Sequence, residues 1–256
     1  MSVDVIAEQI GHVLVATLAR PPVNAINDDL IAALDAVIDR AIADAGVSVL
    51  HIRSAQRVFC AGADLALMQS CFATPQGPDR MTEVVRRMQA LHLRLETAPL
   101  VTLAEIGGSA LGGGLELALA CDLRIVADEA KIGLSEASLG LLPGAGGTQR
   151  LTRLVGPALA LRLILGGEIV DGAQARQLGI VQWSAPRADL PARAAAIAAR
   201  YAAMQKSALA ANKRCIAAAL YPQVDGYAEE LRLTRALYDD PDTRAKVDAF
   251  LARRAG

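Results

Sequence analysis

The sequence predicts an α/β fold with a largely parallel sheet, followed by an all-helical C-terminal region. Three observations predict it. Short apolar runs alternate with amphipathic helical patterns through about the first 190 residues. Glycine-rich or small-residue turns stand at junctions between runs and helices. From about Pro191 the chain becomes alanine-rich and holds no further strand candidate.

Val13–Leu18 reads as a strand that ends at Arg20-Pro21-Pro22. Asn27 or Asp28 then caps a helix whose apolar face is Leu30, Ile31, Leu34, Val37, Ile38 and Ile42, and Gly46 breaks it. Ser48–Ile52 is the next strand, followed by the turn Phe59–Asp64 and a helix starting at Leu65. Cys71–Arg80 carries two prolines, a glycine and few apolar residues, so a mobile, pocket-shaping loop is expected there. A Met81–Glu96 helix, a Leu100–Ile106 strand, a helix carrying Glu116 and a Leu123–Ala127 strand continue the alternation. Glu105 falls inside one of these strands and is expected at an exposed strand end.

Pro191–Met204, Ser207–Leu220, Val224–Tyr238 and Pro241–Arg254 read as helices, with Pro241 suited to a first turn. Helices with no sheet beneath them bury their apolar faces against one another, the core or a second subunit, and alanine permits close approach. A division into residues 1–190 and 191–256 follows, the second part being a helical cap on its own core or a contact surface of a homo-oligomer.

Composition narrows the function. A net charge of −1 without a long Lys/Arg run gives no bulk attraction to nucleic acid or anionic membranes. No uncharged stretch approaches the roughly 20 apolar residues of a membrane helix. Cys60, Cys71, Cys121 and Cys215 form no close pairs, and Asp4 and Glu8 stand where a secretory signal would be basic and then apolar, so a reduced, cytoplasmic protein is expected. His12, His51 and His92 lack partners at metal-ligand spacing and are expected to be structural. Gly-x-Ser-x-Gly is absent, and Gly144-Ala145-Gly146-Gly147 fails the dinucleotide spacing because Gln149 stands where the last glycine belongs.

What remains are two glutamates twenty residues apart, Glu116 and Glu136, each near a glycine-rich turn. Gly112-Gly113-Gly114 lets the backbone approach a bound group, and amides at a helix start have no intrahelical acceptor. A carboxylate two residues on then lies beside whatever those amides stabilise, which suggests oxyanion stabilisation next to acid/base chemistry. Alone, each feature has an ordinary structural use: tight helix packing for the glycines, a helix-dipole partner for Glu116, a solvated loop for Glu136.

Taken together, FCAGADL at 59–65, ALGGGLELALACDLRI at 110–125 and LGLLPGAGGTQRLTRLVG at 139–156 resemble, in order and spacing, the three signature segments of the crotonase family, and most of all its enoyl-CoA hydratases. RPPVNAIN at 20–27 is similar to the family's coenzyme A-proximal loop and DAFLARR at 248–254 to its last helix. The resemblance implies a spiral of repeated ββα units, a helical trimerisation region and assembly as trimers or dimers of trimers. It also implies an acyl-CoA thioester substrate whose oxygen is bound by the amides of Ala63 and Gly113. Glu116 and Glu136 then map to the acid/base pair that adds water across a trans-2-enoyl thioester, with no metal or redox cofactor. Arg20, Arg57, Ala61, Asp64, Leu65, Phe250 and Arg253 match positions near coenzyme A, the last two reaching from a neighbouring subunit. Three departures stand out: Ser135 for a frequent proline, Gly107-Gly108 for Asn-Gly, and Glu105 for a small or apolar residue. An enoyl-CoA isomerase is the alternative, needing one base rather than a water-holding pair. An RNA-binding relative is disfavoured by the charge and by only three Phe, one Trp and four Tyr.

Overall fold

The computed structural model describes residues 4–255. Strands β1 (Val5–Ile10) and β2 (Val13–Leu18) form an antiparallel hairpin, turned by Gly11 at φ +57. Helix α1 (Asp28–Ala43) follows, its Asn27 cap accepting from the Leu30 amide, and it buries Leu30, Ile31, Leu34, Val37, Ile38 and Ala41. Each large apolar side chain on that face contributes about 1.5–3 kcal/mol. Ile42, expected on the same face, is instead 39% exposed.

The chain continues through β3 (Val49–Ser54), α2 (Leu65–Phe72), α3 (Gly77–Thr97), β4 (Val101–Ile106), β5 (Ala110–Leu111) and α4 (Gly113–Leu119). Then come β6 (Leu123–Ala127), β7 (Lys131–Gly133), a single 3₁₀ turn over Glu136–Leu139, α5 (Gly147–Val155), α6 (Pro157–Leu165), β8 (Val170–Asp171), α7 (Gly172–Gln177) and β9 (Trp183–Ala185). The main sheet has the order β1-β2-β3-β4-β6-β9, parallel from β2 onward. A second small sheet pairs β5, β7 and β8. The expected α/β class with a largely parallel sheet is what the chain forms.

Helix α8 (Leu190–Ala202) lies on the main sheet, touching β2, β3, β4, β6 and β9. Helices α9 (Lys206–Ala218), α10 (Gly226–Asp239) and α11 (Pro241–Ala255) follow, α10 packing on α9 and α11 on α10. α10 leaves Tyr227, Leu231 and Tyr238 exposed, and α11 leaves Val247, Phe250 and Leu251 exposed. Among the described residues no helix is long and apolar enough to cross a membrane.

Three local features depart from what the sequence announces. The segment 71–80 is not a loop: α2 runs to Phe72, α3 starts at Gly77, and only four residues separate them. Pro78 sits in the first turn of α3, where its missing N–H removes no helical bond, and a Cβ on Gly77 would stand 1.6 Å from the Cys71 carbonyl oxygen. The loop signals were therefore helix-start chemistry. Strand β1 escaped the sequence reading because only Val5 of its six residues is fully buried, as befits an edge strand.

Glu105 is the third. It is 7% exposed in a strand paired on both sides, so the exposed strand end does not exist. His51 on β3 faces it across the sheet, with Nε2 2.9 Å from Oε2. The contact is close but poorly aligned for a hydrogen bond.

Candidate active site

The turn after β3 is built by a buried asparagine. Asn24, at φ +51 and fully buried, donates from Nδ2 to Ser54 Oγ at 2.8 Å and to the Phe59 carbonyl at 2.9 Å. The Cys60 thiol donates to the Asn24 carbonyl at 3.0 Å, and the Ala61 amide to Val23 O at 3.0 Å. Ile26 then brackets the next residues: its amide donates to Gly62 O at 2.8 Å and its carbonyl accepts from Asp64 N at 3.0 Å. The Ala63 amide, between those two bonds, points away and donates to no acceptor among the described residues.

Gly113 begins α4, so its amide has no intrahelical acceptor either. The two turns are in contact. A Cβ on Gly62, itself at φ +96, would lie 3.2 Å from Gly113 N, and one on Gly113 would lie 3.6 Å from Ala63 N. A Cβ on Gly114 would lie 2.1 Å from the Cys60 carbonyl oxygen. The glycines thus bring two unpaired amides side by side, which is the arrangement an oxyanion hole requires.

Both glutamates reach the same place. Glu116, on the first turn of α4, is 2% exposed, and its Oε1 accepts from the Gly147 amide at 2.7 Å. Burial pushes its carboxyl up to about 7, against the Gly147 hydrogen bond and helped by the charge of Glu136. Glu136 opens the 3₁₀ turn and leans over Gly112, where a Cβ would meet its Oε1 at 2.9 Å. Its Oε2 is buried without a partner, and burial raises its pKa as well. Each carboxylate therefore lies against a glycine that a methyl group would crowd: Glu136 against Gly112, and Glu116 against Gly147 with Oε1 2.9 Å from the added Cβ.

Gly147 is a site residue that the sequence does not announce. Gly144–Gly147 fails the dinucleotide spacing and otherwise lies within a signature segment, whereas the Gly147 backbone amide is the hydrogen-bond partner of Glu116. Spacing alone carries no trace of this bond, which joins residues 31 apart.

Of the other site residues, Asp64 caps α2 through the Ala66 and Leu67 amides and pairs with Arg20 at 2.9 Å. Arg20 also donates to Ala25 O at 2.8 Å, so its guanidinium ties the early loop to the Ala63 turn. Ala61 and Leu65 are exposed along that turn, and Arg57 is exposed just before it with no polar side-chain partner among the described residues. Phe250 and Arg253 lie on α11; Arg253 bonds back to Ala249 O, and neither makes a hydrogen bond to the glutamate cluster. Among the described residues no group of three or more His, Cys, Asp or Glu side chains is placed to hold a metal ion.

Comparison with known proteins adds an independent line. The family model for enoyl-CoA hydratase/isomerase matches residues 8–255. A probable enoyl-CoA hydratase of Bacillus subtilis (strain 168) is 38% identical over 248 residues, spanning 94% of this chain and 93% of its own. The 2,3-dehydroadipyl-CoA hydratase of Escherichia coli (strain K12) is 35% identical over 253 residues, spanning 98% and 96%. Among solved structures, Pseudomonas aeruginosa DspI superposes with a TM-score of 0.91 at 34% identity, over 98% of this chain and 94% of that one. An enoyl-CoA hydratase from Bacillus anthracis gives 0.90 at 30% identity, over 98% and 96%.

Proposed function

The chain belongs to the enoyl-CoA hydratase/isomerase family and has the crotonase fold, and on that premise we propose that it is a hydratase adding water to a trans-2-enoyl-CoA thioester to give the 3-hydroxyacyl-CoA. The observation that carries this reading is the pairing of Glu116 and Glu136 beside the unpaired amides of Ala63 and Gly113. An isomerase needs one proton shuttle. Two carboxyls with raised pKa values, one on each side of a glycine turn, suit a bound water that must lose a proton while the substrate gains one.

In the proposed reaction the thioester oxygen sits between the two amides. Glu116, as base, takes a proton from water as oxygen bonds to C3; the C2=C3 π electrons move toward the thioester, and the amides hold the resulting enolate-like oxygen. Glu136, as acid, gives a proton to C2, and the electron pair returns. A proton passing from Glu116 to Glu136 then restores both carboxyls, so the atoms of one water are accounted for, and the chemistry calls for no metal or redox cofactor. Amide donors of this kind are worth about 3–4 kcal/mol of transition-state stabilisation. Because they belong to the backbone, the glycines guard their geometry rather than their presence.

Arg57, exposed and without a side-chain partner among the described residues, is free to meet a coenzyme A phosphate, whereas Arg20 is already engaged by Asp64. Phe250 and Arg253 belong to this site only through a neighbouring subunit, in a trimer or dimer of trimers. A cytoplasmic setting and fatty-acid β-oxidation fit the same reading.

The test follows the enoyl-thioester absorbance when the protein meets crotonyl-CoA. We expect rapid loss, reduced about 10²–10⁴-fold by either Glu116→Gln or Glu136→Gln. Isomerisation of a 3-enoyl-CoA that survives in one variant while hydration stays absent from the parent would replace the hydratase with an isomerase.

A further inference from the structure

Four residues of α3, Val85, Gln89, His92 and Glu96, recur at the spacing of a single helical face. That face meets the Gly144–Gly147 loop and the helix after it. Val85 Cγ1 would be 3.1 Å from a Cβ on Gly144. Gln89 Nε2 donates to Gly144 O at 2.6 Å, and His92 Nδ1 lies 2.9 Å from Ala145 O. Glu96 holds Arg150 at 2.7 Å, and Arg150 Nη1 donates to the same Ala145 oxygen at 3.1 Å. The loop fixed in this way is the one whose Gly147 amide binds Glu116 at 2.7 Å.

We propose that His92, with Gln89 beside it, is a positioning residue for Glu116: by holding the Ala145 and Gly144 carbonyls against α3 it keeps the Gly147 amide aimed at the carboxylate. This rests on the reading of Glu116 as an acid/base group. His92 touches no reacting atom; it acts through the loop.

The chemistry of His92 fits that task. A carbonyl oxygen only accepts, so the proton sits on Nδ1 and the tautomer is set by Ala145. The ring is fully buried, its Nε2 has no partner, and burial pushes its pKa down to about 4, with the nearby Arg150 charge acting in the same direction. It is therefore a neutral, fixed donor across the working pH range. Around Glu116 stand the Gly147 and Ala145 amides, which favour the carboxylate, the Arg150 charge, which does too, and the Glu136 charge, which opposes it. Loosening the loop weakens the two amide contacts and leaves burial and Glu136 opposed only by the Arg150 charge, so Glu116 holds its proton more tightly.

The experiment is a carbon-NMR titration of carboxyl-labelled full-length protein, with the Glu116 signal assigned through Glu116→Gln. His92→Leu removes the donor at similar bulk; His92→Asn places an amide N–H where Nδ1 stood. We expect the Glu116 midpoint to rise by about one pH unit in His92→Leu and to return close to the parent value in His92→Asn. Hydration by His92→Leu on the acidic side of the profile then falls about tenfold, with the loss recovered at higher pH. Gln89→Met, at an exposed position tolerant of change, shows a smaller rise and serves if His92→Leu does not fold. An unmoved Glu116 midpoint in Gln89→Met, and in His92→Leu where it folds, overturns the proposal, as does a His92→Asn midpoint displaced as far as that of His92→Leu. The titration reads the carboxyl whether or not the protein hydrates crotonyl-CoA, so a failure of the hydratase reading is seen separately.

Discussion

Glu116 shows what burial does to a carboxyl that its amide contacts and the nearby Arg150 charge do not fully compensate. Its folded pKa of about 7 lies above the ordinary 4.5, so between those values the native state holds a proton that the unfolded chain has released. Native stability from this group is complete below pH 4.5 and declines as pH rises through 7, by on the order of 3 kcal/mol. Glu116→Gln removes the titration while keeping an oxygen for Gly147. We expect the variant to gain on the parent in urea unfolding at pH 8 and to lose most of that gain at pH 4.5. Equal differences at the two values would show that the carboxyl is not perturbed. A buried carboxyl of this kind is thus carried at a standing cost to the fold.

Among the elements, the β3–β4 pair carries the least expected feature, the buried contact of His51 with Glu105. Removing one member strands the other away from water, so His51→Leu and Glu105→Leu should each destabilise by about 3 kcal/mol or more, while the double variant recovers most of the loss. Chemical denaturation of the three variants reads this directly, and additive losses would mean that the two side chains are not coupled. Here the sequence misled because a charge inside an apolar run is usually at an edge, and nothing local in VTLAEI announces a partner fifty-four residues earlier. The long elements were legible for two reasons: β2, β3, β4 and β6, buried on both faces, write near-continuous apolar runs, and α1, buried on one face, writes a helical period. The two- and three-residue strands β5, β7, β8 and β9 are too short to write any period. In the site, the Ala63 and Gly113 turns and both glutamates could be found from glycine placement and resemblance. The Gly147 bond to Glu116 could not, since a backbone amide has the same signature at every residue.

For the molecule as a whole, α10 and α11 present Tyr227 at 83% exposed, Leu231 at 74% and Leu251 at 58%. Large apolar side chains exposed on two neighbouring helices are what an association surface would offer. We expect sedimentation equilibrium to give a mass of three chains or a multiple of three, and Leu231→Glu to shift it to smaller species. A single-chain mass at micromolar concentration would refute the assembly. The opposite condition prevails at Cys60, fully buried against the Asn24 carbonyl, with its thiol pushed up to about 12, while Cys215 is only half-buried. An alkylating reagent therefore meets Cys215 on the native protein but reaches Cys60 only in the moments when the turn bearing Ala63 comes away from Ile26. The rate of Cys60 modification is a clock for that opening, and if the proposed function holds, an acyl-CoA thioester should slow it by seating between Ala63 and Gly113.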